Sequence, residues 1–107
     1  MPRRSGRSSD PVLVAAAGLG GCAERCVIGG RDPEEAVLAE MAKILASLPK
    51  DSRALALAEA ATGYVVDDPT RPSNAGCAAL LERAGADLDW ARRIREERRG
   101  RHGFTVA

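Results

Sequence analysis

Alanine provides 20 of the 48 apolar residues in this chain of 107, which limits the core it can build. Leu, Ile, Val and Phe together number only 21. The share of these four residues in the chain lies near the limit below which strongly charged chains are disordered. The formal net charge here is only +1, so charge repulsion does not force disorder. We therefore expect one folded helical domain with a thin core. Because so short a chain buries only about 60–65% of its unfolded surface, we also expect a homo-oligomer or a stabilising protein partner.

The N-terminal apolar stretch and the cysteine count bear on the compartment. Residues 12–19 are apolar but are interrupted by glycine and followed by Glu24 and Arg25, so no run of 18 apolar residues is available to cross a membrane. A signal peptide is the alternative for this stretch. An odd, sparse count of three cysteines fits a reducing compartment better than a disulfide scaffold. We predict a cytoplasmic protein with no membrane partner.

Periodicity divides the chain into three parts. Residues 1–9 (MPRRSGRSS) have no apolar periodicity and are predicted to form a disordered basic arm. A single helical domain is predicted over residues 10–100, followed by a flexible tail over residues 101–107.

The first predicted helix contains several glycines. Asp10 and Pro11 fit an N-cap and the first helical position. Gly18, Gly20 and Gly21 then weaken a helix by about 1 kcal/mol each relative to alanine. The sequence therefore predicts a broken helix in this region.

Residues 33–48 give the clearest helix signal. Asp32 fits an N-cap, Pro33 the first helical position, and Glu35 the third, an arrangement similar to a capping box. A single apolar stripe follows at helical spacing, formed by Val37, Leu38, Met41, Ile44, Leu45 and Leu48. Pro49 ends the predicted helix.

Three shorter helices are predicted after this one. The residues expected to cap them are, in chain order, Asp51 or Ser52, Ser73, and Asp87. The residues expected to end them are, in the same order, Ala61, Gly85 and Gly100. The expected fold is an all-α bundle of three to five short helices.

Residues 18–23 (GLGGCA) fit the G-x-G-x-x-A pattern of a dinucleotide-binding loop. Only 13 positions separate Gly18 from Arg31, the residue that would meet a 2′-phosphate, which is too few for a crossover helix and a return strand. The one histidine, His102, has no neighbouring nucleophile and carboxylate arranged for catalysis. We therefore predict no cofactor and no enzymatic activity.

The three cysteines leave a zinc site as an open alternative. Cys22 and Cys26 would share one face of a helix, and Cys77 and His102 could complete four ligands. Their spacing differs from that of closely spaced zinc knuckles, and Cys77 lies in an apolar segment typical of a small buried residue. Free thiols are the favoured interpretation.

The segment from Trp90 to Arg101 holds six arginines and only two glutamates. Arg92, Arg95 and Arg99 follow i, i+3, i+7 spacing and share one helical face, which Arg98 and Arg101 flank. These arginines could bind nucleic-acid phosphates, and Trp90 could stack on a base.

Two hypotheses follow from this charge density. The first is a non-enzymatic nucleic-acid-binding protein that uses the Arg-rich C-terminal helix. The second is a protein–protein adaptor or inhibitor, such as an antitoxin-like or phage-type regulator, that uses the same helix on an acidic partner. Residues 32–68 sum to −5 and residues 69–107 to +3, so a head-to-tail or antiparallel dimer is also expected.

Overall fold

A computed structural model describes residues 10–66 and 71–106, and the side chains within them up to residue 100. Its elements are α1 (Pro11–Glu24), a π-helix (Arg25–Gly29), α2 (Glu34–Ala46), α3 (Lys50–Ala61), α4 (Pro72–Arg83) and α5 (Leu88–Val106). None of the described residues forms a strand, so the predicted all-α fold is confirmed. The predicted basic arm of residues 1–9 lies outside the described residues.

Helix α1 is continuous, and the predicted break at its glycines is wrong. The Asp10 side chain accepts a hydrogen bond from the Val12 backbone N–H at 3.0 Å, which confirms the predicted N-cap. A Cβ atom on Gly18 would lie 3.2 Å from Ile44 Cδ1, and one on Gly20 would lie 3.3 Å from the Tyr64 hydroxyl oxygen. These glycines let neighbouring residues approach α1 closely, and the packing offsets their low helix propensity.

The π-helix after α1 ends at Gly30, whose φ of 66° lies in the left-handed region that glycine adopts most readily. Helix α2 then begins at Glu34, and Pro33 is its cap. The predicted capping role of Asp32 is wrong, because no side chain caps α2. Glu34 and Glu35 instead place negative charge in the first turn, where the helix dipole favours it.

Helices α3 and α4 also begin beside a proline rather than at the predicted capping side chain. Pro49 precedes α3 and Pro72 is the first residue of α4, so the predicted caps Asp51 or Ser52 and Ser73 are wrong. The fixed φ of proline prepares the first turn of a helix, which explains why the predicted boundaries lie within three residues of the observed ones. Gly85, with φ of 117°, ends the turn after α4.

Helix α5 begins as predicted and extends further than predicted. The Asp87 side chain accepts a hydrogen bond from the Trp90 backbone N–H at 3.1 Å, which confirms this cap. The predicted end at Gly100 is wrong, because the helix continues to Val106. The backbone of 101–106 is therefore helical where a tail was predicted, while the side chains there lie outside the described residues.

The core forms around α1, which packs against α2, α3 and α4, while α5 packs chiefly on α3. Leu19, Met41, Leu81, Val37 and Cys77 are the largest fully buried side chains. Ten of the twenty buried apolar residues among the described ones are alanine. The thin core expected from the composition is present.

Candidate functional site

Helix α5 carries all six residues predicted to form the binding site. Five of them have described side chains: Trp90, Arg92, Arg95, Arg98 and Arg99. Arg101 lies within the helix, but its side chain is outside the described part of the chain. The helical spacing that underlies the predicted arginine face is therefore present.

Two of the predicted arginines form ion pairs along the helix itself. Arg92 contacts Asp89 at 3.1 Å and Arg99 contacts Glu96 at 3.4 Å, each pair being three residues apart. All four side chains are more than half exposed. Such pairs stabilise a helix by only a few tenths of a kcal/mol, but they reduce the positive potential available to a phosphate.

Arg98 contacts a different helix. Its Nη2 atom donates hydrogen bonds to both carboxylate oxygens of Glu59 on α3, at 3.0 and 2.8 Å. The Glu59 side chain is only 13% exposed, so this pair lies at the junction of α3 and α5. The structure thus gives Arg98 a role in holding α5 against the bundle.

Arg93 and Arg95 differ from the other arginines of α5. Within the described residues, neither takes part in an ion pair or a side-chain hydrogen bond. Arg93 is exposed, whereas Arg95 is half-buried. Residues two apart on a helix do not share a face, so these two charges do not combine into one patch.

A shallow concavity of about 560 Å³ lies on the outer side of α5. It is lined by Trp90, Arg92, Arg93, Ile94, Glu96 and Glu97. Trp90 and Ile94 are one turn apart and both half-buried, so they form an apolar floor between charged residues of both signs. The site residues predicted from the sequence do not include Ile94, which therefore is a lining residue that sequence reasoning missed.

The burial of Ala91 explains why Ile94 was not identified from the sequence. Ala91 is fully buried and Leu88 packs partly against the core, so the buried side of α5 is centred on these two residues. Ile94 follows Ala91 by three residues and is rotated toward the outer side. An apolar residue at the edge of a stripe gives no sequence signal for which side it takes.

The cysteines are not part of any cluster of metal ligands within the described residues. Cys22 and Cys77 are buried and Cys26 is half-buried, all as free thiols. No group of three potential metal-ligating side chains occurs among the described residues, and the His102 side chain lies outside them. Burial, and then the charges of Glu24 and Cys26, raise the pKa of the Cys77 thiol, which favours the neutral form rather than a metal-binding thiolate.

The glycine motif does not form a phosphate-binding loop. Residues 18–23 lie inside α1, where their backbone N–H groups follow the helical hydrogen-bonding pattern rather than facing a ligand. The short spacing between Gly18 and Arg31 already argues against a dinucleotide-binding loop, and the helical conformation of residues 18–23 argues against it as well.

Helix α1 has apolar residues on its outer side as well as its inner side. Leu13 and Val14 on α1 are 42% and 56% exposed, and Ile28 in the following π-helix is 65% exposed. These three are the exposed large apolar residues of the described chain. By length and composition alone, Pro11–Gly29 is long and apolar enough to cross a membrane, with a mean hydropathy of 1.5, and one third of that window is buried in the bundle.

Comparisons with protein-family models, with curated proteins and with solved structures found no match to this chain.

Proposed function

We propose that this protein is a non-enzymatic protein-binding module that uses the outer side of α5. The observation that carries the proposal is the concavity around Trp90 and Ile94. Tryptophan and arginine are enriched at the energetically important centres of protein interfaces, and here both border one depression.

The charges around this depression suit a protein partner better than a nucleic acid. Arg92 and Arg93 lie on its rim together with Glu96 and Glu97. A phosphate backbone would be repelled by the two carboxylates, whereas a partner helix with charges of both signs can pair with all four. The partner chemistry that fits is an amphipathic helix with an apolar stripe and mixed flanking charges.

The ion pairs of the arginines support the same choice. Nucleic-acid binding would require Arg92 and Arg99 to leave their carboxylates, and would require Arg98 to leave Glu59, which is largely buried. A carboxylate that loses its partner in a largely buried position costs about 1–3 kcal/mol. The nucleic-acid hypothesis remains a prediction that the experiment below tests directly.

Trp90 is the only tryptophan in the chain, so its fluorescence reports on this site alone. We expect immobilised protein to retain a host protein that Trp90→Ala loses, and the retention to survive nuclease treatment. Lys50→Ala is the matched control, because Lys50 is exposed at the start of α3, away from this concavity, and should keep the partner.

A titration with random DNA and RNA at about 50 mM salt separates the two hypotheses. We expect no change in Trp90 fluorescence and no retention on a filter. Binding that weakens steeply with salt would overturn the proposal in favour of the nucleic-acid function, as would a retained protein that nuclease releases. Equal retention by wild type and Trp90→Ala would also overturn it.

A further inference from the structure

The outer face of α1 and of the π-helix that follows it is a second surface, separate from the concavity on α5. We define it by Leu13, Val14, Ala17, Gly21 and Ile28. It contains every exposed large apolar residue of the described chain. A bundle with so few large apolar side chains has left three of them in solvent on α1 and the π-helix that follows it, which is the pattern of an interaction surface.

The spacing on this face is symmetric about Gly21. Val14 lies seven residues before Gly21, which is about two turns of α1, and Ile28 lies seven residues after it, in the π-helix that follows α1. Two turns of α-helix bring Val14 to the same side as Gly21, and Ile28 lies on that side too, because Gly21, Arg25 and Ile28 line one concavity of about 560 Å³. A Cβ atom on Gly21 would meet no atom within 4 Å, so the centre of the face is open.

We infer that this face binds a second copy of the chain, with the two α1 helices antiparallel and a two-fold axis close to Gly21. A two-fold interface uses the same patch on both copies, so its residues must be complementary when the patch is reversed. Reversal about Gly21 places Val14 of each copy against Ile28 of the other, and places the two glycines together. The open centre lets the helix backbones approach, and the larger side chains at the ends pack across the interface.

The charges beside this face are complementary under the same reversal. Lys43 lines a groove with Val14 and Gly18, and Glu40 is paired with Arg25 on the same side of α1, closer to Ile28. The two-fold axis brings Lys43 of each copy to the level of Glu40 in the other. The Glu40 carboxylate is half-exposed and can accept hydrogen bonds from both cations.

The size of the face sets the expected affinity. A helical segment of 19 residues is about 28 Å long and about 10–12 Å wide, which gives on the order of 300 Å² per copy. Stable complexes bury about 800 Å² per partner, so the groove beside Lys43 must contribute and the dimer is expected to be weak. We expect a dissociation constant in the range of about 1–100 µM.

Gly21→Cys tests the position of the axis. Because the two residues at position 21 adjoin in the dimer, mild oxidation should link most of this variant as a dimer that reductant separates. Gly100→Cys is the matched control, since a Cβ there also meets no atom within 4 Å and the residue lies on α5, away from this face, and it should remain as monomeric as the wild type, whose three native thiols give the background. Equal linking of the two variants would overturn the proposed axis.

Sedimentation tests the dimer itself. Wild type should change from monomer to dimer across about 1–100 µM, and Val14→Asp should stay monomeric with an unchanged circular dichroism spectrum. A monomeric wild type at every concentration would overturn the inference. Cosedimentation of a monomeric chain with anionic lipid vesicles would overturn it too, and would assign the face to a membrane surface. The Trp90→Ala variant should dimerise normally, so failure of this inference is distinct from failure of the proposed function.

Discussion

Arg98 on α5 donates hydrogen bonds to both carboxylate oxygens of Glu59 on α3, a residue 39 positions earlier in the chain. One guanidinium nitrogen of Arg98 lies 2.8 and 3.0 Å from these two oxygens. The Glu59 side chain is 13% exposed, whereas Arg98 is about half exposed. The pair therefore satisfies a largely buried carboxylate at the junction where α5 joins the bundle.

Arg98→Ala should lower the free energy of unfolding by about 1–3 kcal/mol, because Glu59 then remains largely buried without its cation. Chemical denaturation measures the change. Arg92→Ala is the matched control, since its pair with Asp89 is exposed and within one helix, and it should change stability by less than about 0.5 kcal/mol. Equal effects of the two substitutions would contradict this account of the pair.

Met41→Ala should cost about 2–5 kcal/mol, because the Met41 side chain is fully buried in the core between α2 and its neighbours. Leu45→Ala, one turn along the same stripe, should cost less, because Leu45 is only half-buried. Thermal or urea unfolding of both variants gives the comparison. A larger loss from Leu45→Ala would mean that the stripe packs differently from the structure described.

Tyr64 should make stability depend on alkaline pH. Burial of its hydroxyl, and then its hydrogen bond to Glu24, raise the pKa of Tyr64 well above its usual range. A raised pKa in the folded state gives stability that is present below the unfolded value of about 10 and is lost as the pH rises toward the folded pKa. Wild type should therefore lose stability above about pH 10 more steeply than Tyr64→Phe.

The single tyrosine permits a direct measurement, because the ultraviolet absorbance of its phenolate follows Tyr64 alone. The titration midpoint in the folded protein should lie above that in denaturant. Coinciding midpoints would show that the hydroxyl is not held by Glu24 in solution.

Two glycine-to-alanine substitutions should have opposite signs. Gly100 lies in α5 with no atom within 4 Å of a built Cβ, so Gly100→Ala should stabilise by about 0.5–1 kcal/mol. Gly76 lies in α4, where a Cβ would come within 2.8 Å of Val27 Cγ1, so Gly76→Ala should destabilise. Melting temperatures of both variants test this. No gain from Gly100→Ala would contradict the continuation of α5 beyond that residue.

Local features were predicted correctly from the sequence where a single residue determines the backbone conformation. Asp10 and Asp87 are caps both in the prediction and in the structure, because a short acceptor side chain can reach the free N–H groups nearby. Asp32 has the same chemistry and no capping bond, because the proline that follows it serves as the cap residue instead.

The glycines of α1 show where prediction from neighbouring residues alone fails. Gly18 and Gly20 suggested a break, yet contacts with Ile44 and Tyr64, which lie 26 and 44 residues further along the chain, accompany a continuous helix there. The candidate site likewise depends on contacts that the local sequence does not reveal. Helical spacing predicted that Arg92, Arg95 and Arg99 share a face, but nothing local indicates that Arg98 reaches Glu59 or that Ile94 turns outward.

The alanine-rich interior described above has a consequence for the temperature response of the protein. The heat capacity change of unfolding reflects the apolar surface that becomes hydrated, and typical domains show about 12–15 cal/mol/K per residue. Half of the buried apolar residues here are alanine and expose little new surface on unfolding. The heat capacity change per residue should therefore lie below that range. The curve of stability against temperature should therefore be shallow, with a broad melting transition and weak cold destabilisation.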